Sequence, residues 1–300
     1  MKSVRFSRFG DPEVLEIVEL PDPDAGPGQV RIVVRAAGVN AGDWKKRAGL
    51  MDEGLPQTLG YEAAGVVDEV GEGVTDVVVG DRVTGLSARG GAQAELAVLS
   101  HWTTLPAFVG FAEAAALPTA LETAARGLDR LGVSTGSLLL VNGASGSVGS
   151  TAVQLAVARG ARVIGTASAA NHAYLRTLGA EPVAYGADLV RDVRALAPGG
   201  VDRALDVAGR GALPALIDLA GGPEHVVTLA DFPGAQEHRV TFSRGDDGRA
   251  LYALAELGAL IGTGHLTLPR VHAFPLAEVA QAHRAGETGR ATGKIVLVND

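Results

Sequence analysis

The sequence predicts an α/β protein in which a doubly wound parallel sheet interrupts a β-rich part. Three observations carry this. Short apolar, β-branched runs separated by Gly and Pro clusters fill roughly the first hundred residues. Strand and helix patterns then alternate from residue 138 to residue 229. Strand character returns at the end, over 294–298.

Taken in order, residues 1–6 read as a strand, and 30–37, 64–70, 81–84 and 94–98 as further strands. The clusters 21–28, 71–73 and 90–91 punctuate them. Strands this short at this spacing suggest a small barrel or sandwich. Residues 112–131 are rich in Ala, Leu and Glu and read as helical, with Pro118 as a break or a new start. Strands then fall at 138–141, 162–165, 181–184, 203–207 and 225–229, with helices at 149–159, 171–178, 188–197 and 212–219. Such alternation means βαβ crossovers and a parallel sheet covered on both faces. A helix is expected over 249–261, strands at 266–268 and 271–274, and a helix near 276–285. Residues 47–57 and 232–249 read as loops. The expected boundaries are 1–115 with 255–300 for the β-rich domain and 116–254 for the inserted domain.

Composition excludes several function classes. Hydrophobic residues make up 47% and charged residues 20%, enough to fill a core and too apolar for disorder. No apolar run is long enough to span a membrane, and the first residues lack the apolar core of a leader. A soluble cytoplasmic protein with no membrane partner is expected. Net charge is −8, and lysine occurs only at Lys2, Lys45, Lys46 and Lys294. Without a basic stripe to release counterions, nucleic acid is not an expected partner. Cysteine is absent, which removes disulfides, thiol nucleophiles and thiolate metal ligands together.

The strongest motif is Gly143-Ala144-Ser145-Gly146-Ser147-Val148-Gly149, between a buried strand and a helix. Glycines there let the chain turn tightly, approach a pyrophosphate and pack helix on strand. The helix N-terminus offers free N–H groups and partial positive charge to phosphates. Ala144 replaces the first glycine of the strict dinucleotide fingerprint. A Rossmann unit is therefore expected. An NAD site usually carries a carboxylate about 20 residues beyond the turn, on the ribose 2′-hydroxyl. Residues 165–172 contain none. Ser168 accepts a 2′-phosphate without repulsion, and His172 or Arg176 could add positive charge, so the expected cofactor is NADP(H).

Gly60-Tyr61-Glu62-Ala63-Ala64-Gly65, followed by Gly71 and Val74, resembles the medium-chain dehydrogenase/reductase superfamily. Its zinc alcohol dehydrogenases carry G-H-E-x-x-G-x-x-x-x-x-G-x-x-V here, and only the His is missing. Ala37-Gly38-Val39-Asn40-Ala41-Gly42-Asp43, Gly80-Asp81-Arg82-Val83 and Gly293-Lys294-Ile295-Val296-Leu297 add to the resemblance. It implies a GroES-like catalytic domain with an inserted Rossmann domain, in a homodimer or homotetramer. The zinc enzymes place Cys at the position of Asn40 and His at that of Tyr61, and none of the seven histidines shows ligand spacing. The chain therefore resembles the zinc-independent quinone oxidoreductase branch, with no metal site expected.

That branch implies hydride transfer from the nicotinamide to a quinone or an α,β-unsaturated carbonyl. Asn40 is the first candidate to stabilise developing oxygen charge or to touch the cofactor, or else a turn residue ending a strand. Tyr61 donates a proton or walls the pocket. Trp44 stacks on a flat acceptor or packs in the core. Asp43 and Glu62 read as structural hydrogen-bond acceptors. By resemblance, cofactor contacts fall on Asn40, Thr123, Gly143, Ala144, Ser145, Gly146, Ser147, Val148, Gly149, Ser168, His172, Tyr185, Val207, Ala208, Gly209, Leu229, Ala230 and Lys294. The competing readings are an enoyl reductase of a biosynthetic pathway and a cofactor-binding protein with little turnover.

Overall fold

The computed structural model describes residues 1–51, 54–87, 89–245, 248–289 and 293–299. In chain order the first elements are β1 (Lys2–Phe6), β2 (Glu16–Glu19), β3 (Val30–Val39), α1 (Ala41–Arg47), β4 (Gln57–Thr58) and β5 (Glu62–Val70). Then come β6 (Arg82–Leu86), β7 (Leu96–Leu99), β8 (His101–Thr104), α2 (Phe111–Ala114) and α3 (Pro118–Arg130). The alternating region holds β9 (Leu138–Asn142), α4 (Ser147–Ala158), β10 (Arg162–Ala167), α5 (His172–Thr177), β11 (Ala180–Ala184), α6 (Leu189–Leu196) and β12 (Arg203–Asp206). It continues with α7 (Leu213–Ala220), β13 (Val226–Thr228), α8 (Phe232–His238) and β14 (Thr241–Phe242). The chain ends with α9 (Tyr252–Ala255), α10 (Leu257–Gly262), β15 (Val271–Pro275), α11 (Val279–Glu287) and β16 (Lys294–Val298).

These elements form two compact units: Met1–Thr119 with Leu254–Gly258 and Leu268–Asp300, and Ala120–Ala253 with Ala259–Thr267. In the first unit β3 is the hub. Its start, Val30 to Val33, pairs with β7, and its end, Ala36 to Val39, pairs with β16. Along its other edge it pairs with β5, through two irregularities in register. Its side chains alternate between buried and half-buried at first, then are buried continuously after Arg35. That switch follows from the pairing. One face of the first half reaches solvent, whereas packing encloses both faces of the second. Strand order is β15-β16-β3-β5-β6-β8, and a separate small sheet runs β2-β1-β4.

The second unit is a six-stranded sheet in the order β11-β10-β9-β12-β13-β14. Every pairing in it is parallel. Numbered within the unit this is the order 3-2-1-4-5-6 of a dinucleotide-binding Rossmann fold, and β9 and β12 flank the point where the direction reverses. Central strands are apolar throughout because helices cover both faces: Leu139, Leu140, Val141, Ile164, Ala204, Leu205 and Val226 are buried. Pro182, which has no N–H to donate, falls on the edge strand β11.

Three expectations are corrected. The stretch 232–249 is not a loop at its start: it contains α8 and β14. Asp231 caps α8 by accepting the Gly234 N–H at 2.9 Å, and Phe232 packs edge-on to Phe242 at 5.2 Å between ring centroids. Pro233 and Gly234 read as breakers, yet Pro is well placed in a first turn. The stretch 47–57 lies between α1 and β4, and its described residues from 48 to 56 form no helix or strand, with residues 52 and 53 outside the described ones. The helix over 249–261 is two short helices, α9 and α10. Residues 266–268 form no strand, because the Thr267 N–H bonds to the Gln154 side chain at 2.7 Å instead of a neighbouring strand.

Candidate functional site

The first unit gathers Asn40, Asp43, Glu62 and Lys294 from four elements. Asn40 follows the end of β3 and caps α1 in extended conformation. Asp43, at the third helical position, is fully buried. Its two carboxylate oxygens accept the Asn40 N–H at 2.7 Å and the Gly60 N–H at 3.1 Å. One side chain thereby ties the segment carrying Asn40 to the segment carrying Tyr61. Burial pushes the Asp43 carboxyl up to about 6, while the two N–H groups and Lys294 pull it the other way.

Glu62 opens β5 and is also fully buried. Its Oε1 accepts Asn40 Nδ2 at 2.8 Å and Lys294 Nζ at 2.5 Å, and its Oε2 accepts the Thr119 N–H at 2.7 Å. Lys294, the first residue of β16, donates also to Asn40 Oδ1 at 2.5 Å. The carboxylate fits only because residue 38 is glycine: a Cβ there would stand 2.2 Å from Glu62 Oε1. With 4% and 0% of their side chains exposed, Lys294 and Glu62 form a buried ion pair. Such a pair endures only when further hydrogen bonds compensate its desolvation, and Asn40 and Thr119 provide them.

Tyr61 is half-buried, and the Lys46 ammonium lies 5.5 Å from its ring centroid. Trp44 is half-buried and packs against the core, in contact with Gly286 and edge-on to the His283 ring at 6.4 Å. His283 is buried, with Nδ1 3.4 Å from an Arg47 nitrogen and Nε2 among the buried atoms lacking a hydrogen-bond partner. Burial, then the Arg47 charge, hold its imidazole down to about 3, so it is neutral near pH 7.

In the second unit the glycine-rich turn joins β9 to α4. Gly143 adopts φ +85°, donates its N–H to Thr166 Oγ1 at 2.9 Å, and Ala144 donates to the Thr166 carbonyl at 3.0 Å. A Cβ on Gly149 would lie 2.2 Å from the Gly143 carbonyl oxygen, so the last glycine lets α4 close onto its own turn. Ala144 in place of a glycine is matched across the sheet. A Cβ on Gly165 would lie 2.8 Å from the Ala144 methyl, so the space of the missing glycine has moved one strand over. The first-turn N–H groups of Ser147, Val148 and Gly149 have no acceptor within α4.

Beyond β10, Asn171 Nδ2 lies 3.4 Å from Ser145 Oγ and 3.3 Å from Ser168 Oγ. His172 Nε2 is 3.3 Å from the Ala167 carbonyl. Hydroxyls, an amide, an imidazole and free N–H groups suit a phosphorylated dinucleotide, and no carboxylate opposes it over 165–172. Of the remaining expected contacts, Val207 to Gly209 follow β12 and Leu229-Ala230 follow β13, at carboxyl ends of central strands. Tyr185 is exposed beyond β11, and Thr123 lies on α3 with its hydroxyl on Glu122 at 3.3 Å. Asn40 and Lys294 belong to the first unit. Sequence reasoning passed over Asn142, Thr166, Asp206 and Thr228. Their signal was a polar residue at the carboxyl end of an otherwise apolar strand.

Among the described residues no group of three or more His, Cys, Asp or Glu is placed to hold a metal ion. A family model described as alcohol dehydrogenase GroES-like domain matches residues 26–123. One described as zinc-binding dehydrogenase matches residues 178–297. The chain is 36% identical to a quinone oxidoreductase of Pseudomonas aeruginosa, over 99% of each protein. It is 34% identical to a 2-methylene-furan-3-one reductase of Solanum lycopersicum, over 99% of this chain and 79% of that one. Its fold matches the Escherichia coli quinone oxidoreductase complexed with NADPH at a TM-score of 0.86 and 27% identity, over 100% of both chains. Matched in sequence and in both units from end to end, the chain belongs to the medium-chain dehydrogenase/reductase superfamily, in its quinone oxidoreductase-like branch, and is an oxidoreductase.

Proposed function

We propose that the protein is a zinc-free, NADPH-dependent reductase that transfers hydride to a quinone or an α,β-unsaturated carbonyl. The observation that carries the zinc-free reading is the Lys294 ammonium, 2.5 Å from both Asn40 Oδ1 and Glu62 Oε1. Asn40 stands where the zinc alcohol dehydrogenases place a Cys, and this chain has no cysteine. Its only amide oxygen is already spent on a cation supplied by the protein. A divalent ion on that oxygen would meet the ammonium at close range in a buried setting, where like charges repel strongly.

When bound, reduced nicotinamide supplies the hydride. The chain's own residues bind, orient and stabilise. Ser147, Val148 and Gly149 offer N–H groups to the pyrophosphate, while Ser168, Asn171 and His172 receive the 2′-phosphate. Asn40 Nδ2 carries two hydrogens; one goes to Glu62, and the other is the donor assigned to charge developing on the acceptor oxygen. Lys294 and Glu62 hold that amide in one orientation, so little reorganisation accompanies the reaction. Tyr61 walls the acceptor pocket, and solvent protonates the product. In this reading residues 1–115 with 255–300 are the catalytic domain and 116–254 the NADP(H)-binding domain. The reading extends to a homodimer or homotetramer in the cytoplasm. Among the described residues no helix is long and apolar enough to cross a membrane.

The test follows NADPH and NADH oxidation with an ortho-quinone, a cyclic enone and an enoyl thioester, with and without a chelator. Turnover of quinone or enone with NADPH, unchanged by chelation, is expected. Loss of activity on chelation overturns the zinc-free reading, and a preference for NADH overturns the cofactor assignment. Turnover of the thioester alone makes the protein an enoyl reductase, and tight NADPH binding without turnover makes it a cofactor-binding protein.

A further inference from the structure

Asp206, the last residue of β12, is fully buried at the reversal point of the parallel sheet. Its Oδ1 accepts Asn142 Nδ2 at 2.9 Å, the Ala208 N–H at 3.1 Å and the Gly209 N–H at 2.9 Å. Its Oδ2 accepts the Thr228 hydroxyl at 2.7 Å. No cation is among these partners; four dipoles solvate the carboxylate.

The row extends in both directions. Asn142 Oδ1 accepts the Thr166 hydroxyl at 2.8 Å, and that hydroxyl accepts the Gly143 N–H at 2.9 Å. Thr228 Oγ1 accepts the N–H groups of Ala230 at 3.2 Å and Asp231 at 3.1 Å. Asn142 pairs with Asp206, and Asp206 with Thr228, in the strand register, so these side chains stand abreast on one face. Four neighbouring strand tips are therefore joined into one line. From it hang three turns: the glycine-rich turn through Gly143, the 207–209 turn through Ala208 and Gly209, and the turn after β13 through Ala230 and Asp231.

We infer that Asp206 is the positioning residue that sets the geometry of all three turns for the dinucleotide. A carboxylate only accepts, so it can end a chain of donors but never pass one on. Every hydrogen bond of the row points toward it. On one side the order is Gly143 N–H to Thr166 to Asn142 to Asp206. On the other it is Ala230 and Asp231 N–H to Thr228 to Asp206. Each hydroxyl has one proton, committed toward the carboxylate, and its lone pairs must then face the backbone N–H groups. An amide at 206 would put a donor against Thr228 or against the 207–209 turn and disrupt the order throughout, since buried polar networks tolerate no half-satisfied member.

The inference rests on reading the second unit as dinucleotide-binding, and the experiment separates the two. NADPH dissociation constants and amide exchange without NADPH are measured for Asp206→Asn, Thr228→Val and Thr228→Ser. Leu219→Ala, in the apolar core of the same unit, is the control for plain destabilisation. Asp206→Asn and Thr228→Val should weaken NADPH binding by about 10-fold or more well below the melting temperature, as expected for a lost charge-assisted hydrogen bond. Thr228→Ser keeps the hydroxyl and should bind like the parent, as should Leu219→Ala despite its lower melting temperature. Amides of Gly143, Ala208, Gly209, Ala230 and Asp231 should exchange faster in Asp206→Asn, with those of Leu140 and Ile164 unchanged. Parent-like NADPH affinity or unchanged exchange at the three turns in Asp206→Asn overturns the inference. If that variant does not fold, the Thr228→Val and Thr228→Ser pair decides by the same readouts. If the parent protein binds neither NADPH nor NADH, the dinucleotide reading fails, and the exchange pattern alone decides the positioning role of Asp206.

Discussion

The two units hold their central residues by opposite means. In the first, a buried ammonium and the buried Glu62 carboxylate fix the Asn40 side-chain amide, the buried Asp43 carboxylate holds the Asn40 backbone, and Lys294 and Glu62 are 232 residues apart in the chain. In the second, glycines within seven consecutive residues give the turn its tight backbone shape, Thr166 receives two of its N–H groups, and the carboxylate in the same network meets only dipoles. A charge cluster fails when a charge is removed or titrated. A backbone cradle fails when an atom is added.

The largest expected effect is in the charge cluster. Lys294→Met leaves Glu62 buried without its cation and should lower stability by about 3–5 kcal/mol. Denaturant unfolding measures this, and adding Glu62→Gln should restore much of the loss. A single-variant loss below about 1 kcal/mol, the range of exposed pairs, would erase the contrast between the units. In the cradle, Gly149→Ala adds one methyl against the Gly143 carbonyl. NADPH titration should show about 100-fold weaker binding, equivalent to ~2.7 kcal/mol. An unchanged affinity would mean that the turn yields and that backbone shape does not hold it.

Titration sharpens the first half of the comparison. His283, held down to about 3, contributes stability that is present above its ordinary value of 6.5 and is lost as pH falls through 3. Asp43, pushed up to about 6, contributes the opposite way: its stability is present below 3.8 and is lost as pH rises through 6. Between these limits the two slopes, each up to ~1.4 kcal/mol per pH unit, oppose one another. Subtracting the stability–pH curve of His283→Gln from that of the parent isolates the histidine. The difference should fall steadily from about pH 6 toward pH 3, and a flat difference would remove His283 from the account. The smallest effect concerns cofactor choice. Ser168→Asp places a carboxylate beside the expected 2′-phosphate and should move the NADPH-to-NADH affinity ratio about 10-fold toward NADH. A ratio that stays put would take Ser168 out of the cofactor site.

The same contrast explains what could be read beforehand. The strands of the parallel sheet and the helices between them follow from apolar runs and local punctuation, so their order was legible to within a few residues. Helix α8 and the short strand β14 after it were not, because the capping Asp231 and the Phe232–Phe242 contact outweigh the breakers Pro233 and Gly234. Helix α1 carried a usable sign, Asn40 three residues before Asp43, which passed unread as a helix start. The glycine-rich turn was legible because its glycines are neighbours in the chain, although Thr166, which receives the Gly143 and Ala144 N–H groups, is not. Asp43 and Glu62 were legible as acceptors, but their partners were not.

The sequence by itself determined the superfamily, the strand–helix order, the turn with Gly149 at its close, and the lack of cysteine at the position of Asn40. Periodicity, residue type and local spacing act over a few residues and survive in one dimension. Only the tertiary structure decided that the Asn40 amide lies between Glu62 and Lys294, that Trp44 packs against Gly286, and that Asp206 gathers the tips of four strands. Those facts depend on which distant strands become neighbours and in what register, and pairing across a sheet leaves no local trace in the chain.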